Sequence, residues 1–549
     1  MRFHHKHFIR DINQWSLLSV AIGLFIAIPG LAIAFYLFDG PGEMWGHIVS
    51  HFLLNYIGNS LFLIAGTGVL TFLIGTSAAW IVSSYDFPYR KLFDWLLFLP
   101  LAIPSYITAY AYVGLLGNGG TLVGFLQSIG IPIKRIEMMN LYGLTWVLSI
   151  SLFPYVYAGT RAMFASFPRV ISDSAFLLGA TRRTYFFKVA LPLASPAIIG
   201  GLFLVFMEVL NDYGAAKYYG INTFTTGIFR TWTALEDLQS SIYLSALLVV
   251  LVILIMLFVK WQRGRKSYTI KALNTGHSHS PRRPLSGRKK VLYLIIILLP
   301  VTFGFILPVG QLLYWGILTF ESMFNAELLW VTLQSFGVAF AAALIIIIGA
   351  LALINVTKWN HLKGLGIFSK LATIGYVIPG AIIGIGVIRS SQTVITFFND
   401  NFDMQVGYLF YGSSIILIYA YVFRFMAVAY NPIEANTLKL SKNLSESAYL
   451  LGVSKLKAFR RIDFPLLKKT LLGAFFLVFI DILKELPLTL ILKPYNLQTL
   501  AINAYAYADD EQVAKAALPA LLLITVIAIL MLVVNHREFN TSENQTLKN

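Results

Sequence analysis

Long apolar runs separated by short polar stretches set the rhythm of this chain. Windows near 17–38, 56–82, 92–116, 141–164, 196–216 and 241–260, then 291–319, 328–354, 367–390, 408–430, 470–492 and 515–534, are apolar over about the 20 residues a helix needs to cross a bilayer. Runs such as "WSLLSVAIGLFIAIPGLAIAFYLF" and "SIYLSALLVVLVILIMLFV" are apolar all round, as a lipid-embedded helix is. The pattern predicts an all-α polytopic membrane protein of about 12 transmembrane helices in two sets of six. Between the sets, "KWQRGRKSYTIKALNTGHSHSPRRPLSGRKK" is rich in Lys, Arg, Ser, Gly and Pro and reads as a solvated linker. Residues 1–260 then form a first half, 261–290 a basic linker and 291–549 a second half.

The halves repeat one another. "SDSAFLLGATRRTYFFKVALPLASPAI" from Ser172 returns 273 residues later as "SESAYLLGVSKLKAFRRIDFPLLKKTL" from Ser445. Ser172, Ser174, Ala175, Leu178, Gly179, Pro192, Leu193, Gly200 and Phe206 match Ser445, Ser447, Ala448, Leu451, Gly452, Pro465, Leu466, Gly473 and Phe479. Fixed spacing of this kind marks an internal repeat. Six spans separate the copies, so the halves have parallel topology about an axis along the membrane normal, and both copies face the same side.

Composition agrees: 57% of residues are hydrophobic and 12% charged, and the mean hydropathy is +0.73. The net charge of +17 is a matter of location. The N-terminal tail, the linker and alternate loops carry Arg90, Lys91, Arg182, Arg183, Lys188, Lys358, Lys363, Lys455, Lys457, Arg460, Arg461, Lys468 and Lys469, whereas the opposite loops carry Glu321, Glu327, Asp400, Asp403, Asp509, Asp510 and Glu511. The positive-inside rule places the basic side, with both termini, in the cytoplasm. No role for nucleic acid is needed to explain the charge. The first apolar run is longer than a signal-peptide core and reads as an uncleaved span. The chain has no cysteine, which excludes disulfides and thiolate metal sites. His4, His5, His7, His277 and His279 lie in the tail and linker and read as solvated, so no stable metal site is expected.

In the repeated segment, Ser172-Asp173 and Ser445-Glu446 resemble a cap residue and an acid at a helix start. Gly179 and Gly452 interrupt that helix, and Pro192 and Pro465 mark the start of the next span. A single copy could be an interfacial loop meeting anionic headgroups; two copies on one side suit a symmetric partner, one subunit to each. The spacing Asp173-Ser174-Ala175, Gly179, Val189, Leu191-Pro192, and again Glu446-Ser447-Ala448, Gly452, Ile462, Phe464-Pro465, resembles the "EAA…G…I-LP" loop of binding-protein-dependent ABC importer permeases. It departs at Asp173, at Ser174 and Ser447, and at Phe464. The resemblance implies a multi-pass bacterial inner-membrane permease, with each loop a coupling helix seated in one of two cytoplasmic ATPase subunits and a periplasmic binding protein as third partner. It implies that Asp173 and Glu446 serve docking, and that ATP and Mg belong to the partner subunits. The chain itself has no Gly-Lys-Ser or Gly-Lys-Thr with which to cradle nucleotide phosphates and is not expected to be an enzyme.

Two further blocks, Met207–Trp232 and Asp481–Leu523, resemble ferric-iron permeases of the fused, two-half kind, with the thiamine type as the alternative. Glu208 and Asp212, repeated as Asp481 and Glu485, are four residues apart and are expected on one helix face. Counted from about Pro196, Glu208 lies roughly 18 Å along its helix, well inside the membrane. Two readings stay open. The acids could line a transient path for a hard cation, or pair with Lys484 or another base and mark a helix end before Gly214 and Pro487. As proton or sodium sites they would instead suit an ion-coupled transporter, which needs no coupling loop. Tyr213, Tyr218 and Tyr219 could add phenol oxygens or mark the membrane boundary.

Overall fold

A computed structural model of the chain describes residues 14–132, 134–264, 282–359, 366–440 and 442–546, so the tail histidines and most of the linker, with His277 and His279, lie outside the described residues. The first half is built on α1 (Gln14–Tyr36), α2 (Leu53–Ser84), α3 (Ser105–Leu116), α4 (Leu141–Ala165), α5 (Arg169–Leu177), α6 (Leu191–Asn211) and α7 (Leu238–Gly264). The second is built on α8 (Gly287–Val301), α9 (Leu307–Met323), α10 (Ala326–Trp359), α11 (Gly366–Thr373), α12 (Gly380–Phe402), α13 (Ile415–Thr437), α14 (Lys442–Leu450), α15 (Phe464–Lys484) and α16 (Ala517–Thr546). The linker is narrower than its composition suggests, because α7 runs on to Gly264 and α8 starts at Gly287.

Among the described residues nine helices are long and apolar enough to cross a membrane, and a tenth crossing is present if Arg90–Ala102 and Ser105–Ser128, bent by 94°, count as one. Two expected windows fall outside this set. Lys468, Lys469, Asp481 and Lys484 make α15 too polar, and the apolar part of α16, Ala517–Val533, is short. The windows 92–116 and 367–390 are both broken at an Ile-Pro pair, with Pro104 and Pro379 at φ −54 and ψ 141 and 143. The cause is local, since the residue before proline is driven out of the helical region and Ile103 and Ile378 are extended.

Each half packs its second, fourth and fifth expected spans together: α2, α4 and α6 in the first, and α10, α13 and α15 in the second. The repeat governs their ends: Leu53 and Ala326 open α2 and α10, and Asn211 and Lys484 close α6 and α15, each pair 273 residues apart. The first helix of each half crosses to the other half. Helix α1 packs against α10, α11, α12 and α13, where Tyr419 donates to the Phe25 carbonyl at 2.5 Å. There Gly386 comes so close that a Cβ would lie 2.5 Å from the Pro29 carbonyl oxygen. In return α8, α9 and the turn between them pack on α2, α3 and α4, and Tyr112 donates to the Phe303 carbonyl at 2.7 Å. The exchange buries apolar surface across the division between halves and ties them into one body.

Three π-helical turns, Phe186–Ala190, Thr302–Ile306 and Phe459–Asp463, each end one residue short of a Leu-Pro or Phe-Pro pair. Proline cannot donate to the carbonyl four residues back, and its ring crowds it. The widened turn absorbs this, with the amides of Leu191, Leu307 and Phe464 bonding five residues back to Phe186, Thr302 and Phe459. Pro192 and Pro465 therefore do not start their spans. The helix entering the first core begins at Arg182 and runs to Asn211, capped by Thr181, whose Oγ1 accepts from the Thr184 amide at 3.2 Å.

Candidate functional site

The two copies of the repeated segment fold alike. Helix α5 ends before Gly179 and α14 before Gly452, and the two glycines adopt φ +81 and +77, a left-handed conformation that stops a helix and that side chains with a Cβ resist. Ser172 is not the helix cap that its position suggests, because α5 starts three residues earlier, after Pro168. Its buried hydroxyl donates instead to the Arg169 carbonyl at 2.8 Å. Helix α14 likewise begins before Ser445. Asp173 pairs with Arg169 at 3.1 Å on the exposed side, Ser174, Glu446 and Ser447 are exposed, Ala175 is half-buried and Ala448 buried. Apolar residues stand bare at the tips of both loops: Leu177 and Leu178 are both 88% exposed, and Leu450 and Leu451 are 89% and 83% exposed. Four bare leucines at equivalent places in two repeats are unfavourable in water and make a paired exposed apolar patch.

Where α6 and α15 end, the halves meet around a cavity of about 100 Å³ lined by all four sequence-predicted acids, Glu208, Asp212, Asp481 and Glu485, together with Arg424 and Lys484. The acids do not share a helix face in pairs. The helices stop at Asn211 and Lys484, and Asp212 and Glu485 are extended residues immediately beyond. The break turns both carboxylates inward. Asp212 Oδ1 accepts from the amides of Ala215 and Ala216 at 3.0 and 3.2 Å, and its Oδ2 accepts from the Ser105 hydroxyl. Glu485 Oε1 accepts from the Leu488 amide at 3.1 Å, and Oε2 lies 3.2 Å from Arg424 Nε. Asp481 pairs with Lys484 at 3.4 Å, and Glu208 accepts a long 3.5 Å contact from Tyr155.

Asp212 and Glu485 thus mark helix ends, Asp481 and Glu485 pair with bases, and all four acids line one cavity. The hydroxyls of Tyr106 and Ser151, which line the same cavity, are buried and have no hydrogen-bond partner among the described residues. Unpaired buried donors cost stability unless something transient satisfies them. Asn211 bridges the halves, its Oδ1 accepting from the Gly380 amide at 2.8 Å, just past the Ile378-Pro379 break. Of the tyrosines, Tyr213 lines the cavity, whereas Tyr219 is buried and donates to the Ala109 carbonyl at 3.3 Å and Tyr218 packs on Tyr110 with ring centroids 4.4 Å apart. The burial of Tyr213 and Tyr219 does not fit a membrane-boundary role. Among the described residues no three His, Asp or Glu side chains cluster closely enough to hold a metal.

Arg424 is a cavity-lining residue that the acid pattern alone does not reveal. Its only sequence signal is a lone arginine within the apolar stretch "IYAYVFRFMAVAY", an ionisable group at membrane depth. The position 273 residues earlier is Ser151, so the two halves line one cavity with unlike residues.

A two-fold-like helical body, with a pair of like-folded exposed loops and a charged cavity at the junction of its halves, is the build of a membrane permease. The chain belongs to the family described as binding-protein-dependent transport system inner membrane component, whose model matches residues 71–267 and 364–539. It is the membrane component of an ABC importer, multi-pass in the inner membrane and not itself catalytic, and its family implies ATPase and binding-protein partners. It is 24% identical over 485 residues to the Fe(3+)-transport system permease protein FbpB 2 of Haemophilus influenzae, covering 86% of this chain and 88% of that one. It is also 24% identical over 550 residues to the ferric transport system permease protein FbpB of Actinobacillus pleuropneumoniae, covering 94% of this chain and 77% of that one. A shorter likeness, 30% over 148 residues, links it to the sulfate transport system permease protein CysT of Salmonella typhimurium, covering 27% of this chain and 52% of the relative.

Proposed function

We propose that this permease carries ferric iron from a periplasmic binding protein into the cytoplasm through the cavity between its halves. The observation that carries this reading is the convergence of Glu208, Asp212, Asp481 and Glu485, two from each half, on one small cavity. Carboxylate and phenol oxygens are hard donors suited to a hard cation. Pairing two of the acids with Arg424 and Lys484 keeps the site weak enough to release what it binds, as conduction requires. Likeness to ferric permeases over most of the chain supports the same cargo. The sulfate permease covers only 27% of the chain, and four carboxylates would repel a sulfate.

In this reading the chain has twelve spans, α15 and α16 included, as two six-span halves (1–260 and 291–549) joined by 261–290, with both termini and both repeated loops in the cytoplasm. One ATPase subunit docks on Asp173, Ser174, Ala175, Gly179 and Pro192 with Leu177 and Leu178, and the other on Glu446, Ser447, Ala448, Gly452 and Pro465 with Leu450 and Leu451. ATP and Mg bind to those subunits and none to this chain. The test is uptake into proteoliposomes holding the permease and its ATPase, with the binding protein outside. Iron accumulation that requires both ATP and the binding protein is the expected result. Accumulation of thiamine or sulfate in place of iron would overturn the cargo, and transport driven by an ion gradient without the ATPase would overturn the mechanism.

A further inference from the structure

A second and larger cavity, about 680 Å³, lies at the root of the first repeated loop, away from the junction of the halves. It sits where α2 and α4 end, at Ser84 and Ala165, on the face that carries the loops. Part of its wall comes from the far end of the linker. Residues Arg283–Pro284 pair in parallel with Tyr85–Asp86, Arg283 opposite Tyr85 and Pro284 opposite Asp86, and the Leu285 amide donates to the Asp86 carbonyl at 3.0 Å. This is the only strand pairing among the described residues, and it brings the linker to the first loop and not to the second.

Three guanidinium groups, Arg182, Arg282 and Arg283, line the cavity, against one carboxylate, Asp86. Asp86 lies 4.0 Å from Arg90, and Asp94 nearby is taken by Arg161 at 2.7 Å. None of the three lining arginines has an ion-pair partner among the described residues. Partial burial, and then the neighbouring Arg90, lower the pKa of the Arg282 guanidinium, as befits a cation crowded by cations. The remaining wall is aromatic. Arg283 lies over Phe176 at 4.7 Å, Phe176 packs on Tyr185 at 5.3 Å, and Trp80 lies 6.1 Å from Tyr185.

We infer that this cavity is a binding site for a phosphate-bearing anion, with an anionic phospholipid headgroup as its natural source. The guanidinium fork matches phosphate oxygens in pairs. Aromatic side chains at the ends of two spans mark headgroup level, and basic pockets between spans are where anionic headgroups bind. The volume accommodates a phosphate with its glycerol. An occupant here bridges the linker strand to the root of the first loop, which makes the two loops unequal in their response to the membrane.

The test uses the full-length permease purified in mild detergent and titrated in two arms, one with phosphatidylglycerol against phosphatidylcholine, read as bound lipid by native mass spectrometry, the other with inorganic phosphate, read by calorimetry. Replacing both linker arginines (Arg282→Gln, Arg283→Gln) is expected to weaken binding about 30-fold, roughly five-fold for each arginine. The lysine pair (Arg282→Lys, Arg283→Lys) should restore much of it, and Arg288→Gln with Lys289→Gln, exposed on the same segment but outside the cavity, should change nothing. Arginine-dependent binding of phosphatidylglycerol assigns the headgroup, and arginine-dependent binding of inorganic phosphate alone assigns a free phosphate. Binding in neither arm, or binding indifferent to Arg282 and Arg283, overturns the site.

Discussion

Arg424 Nε lies 3.2 Å from Glu485 Oε2 with the two side chains only 8% and 5% exposed, and the same arginine donates to the Ile378 carbonyl at 3.3 Å. One buried ion pair thus ties the break at Ile378-Pro379 to the break after α15. Removing one partner strands a charge away from water, a loss of about 3–5 kcal/mol, whereas replacing both with apolar residues of similar size is close to neutral. Glu485→Leu should therefore lower the melting midpoint of the purified permease sharply, and Arg424→Met added to it should recover most of the loss. Equal midpoints for the single and double variants would mean that the pair is not coupled.

Glu208 and Asp481 occupy equivalent positions but have unequal partners, a long contact from Tyr155 for one and Lys484 for the other. If both face the cargo, Glu208→Gln and Asp481→Asn should each reduce ATP-dependent iron uptake by roughly ten-fold, the equivalent of ~1.4 kcal/mol. Co-purification of the ATPase should be unchanged. Unaltered uptake would reduce these acids to helix-end and pairing roles.

Gly179 and Gly452 hold φ +81 and +77, and a Cβ on either would meet nothing within 4 Å, so the cost of substitution is conformational and not steric. For an ordinary side chain that cost is roughly 1–2 kcal/mol, and it is least for asparagine. Valine at both positions should shift the loop tips and abolish coupled ATP hydrolysis while leaving the protein inserted in the membrane. Asparagine at both should retain a substantial part of the activity. Equal activity in the two double variants would show that the left-handed turn is not needed.

What could be read in advance follows the range of the interaction. The 273-residue repeat and the presence of an acid pair at equivalent places in each half are visible because they are written as spacing; their convergence on one cavity is not. The helix ends near Asp212 and Glu485 are open in the sequence as one of two readings, signalled by Gly214 and Pro487, but the bonds that hold the freed carboxylates, to local amides and to the distant Ser105 hydroxyl, are not. The crossing of α1 and α8 to the opposite halves leaves no local signal, since it depends on contacts such as Tyr419 to Phe25, 394 residues apart. Arg424 was legible as a charge in an apolar window, but its partner was not. Leu177 and Leu178 look like ordinary helix apolar residues until Gly179 turns the chain and leaves them bare.

Those leucines give the sharpest separation of docking from transport. Full burial of a leucine contributes about 1.5–3 kcal/mol, and each loop presents two side chains that are more than four-fifths exposed. A subunit that covers one pair loses that contribution in Leu177→Ser with Leu178→Ser, and the other pair is lost in Leu450→Ser with Leu451→Ser. If the ATPase is a dimer with one subunit on each loop, either double variant should weaken its co-purification with the permease, and the quadruple variant should eliminate it. Because these side chains touch little of the helical body, the melting midpoint of the permease should not fall in any of them. A quadruple variant that still retains the ATPase would place the docking surface elsewhere on the basic face. Loss from one loop alone, with the other indifferent, would show that the two copies are not equivalent sockets despite their matching fold.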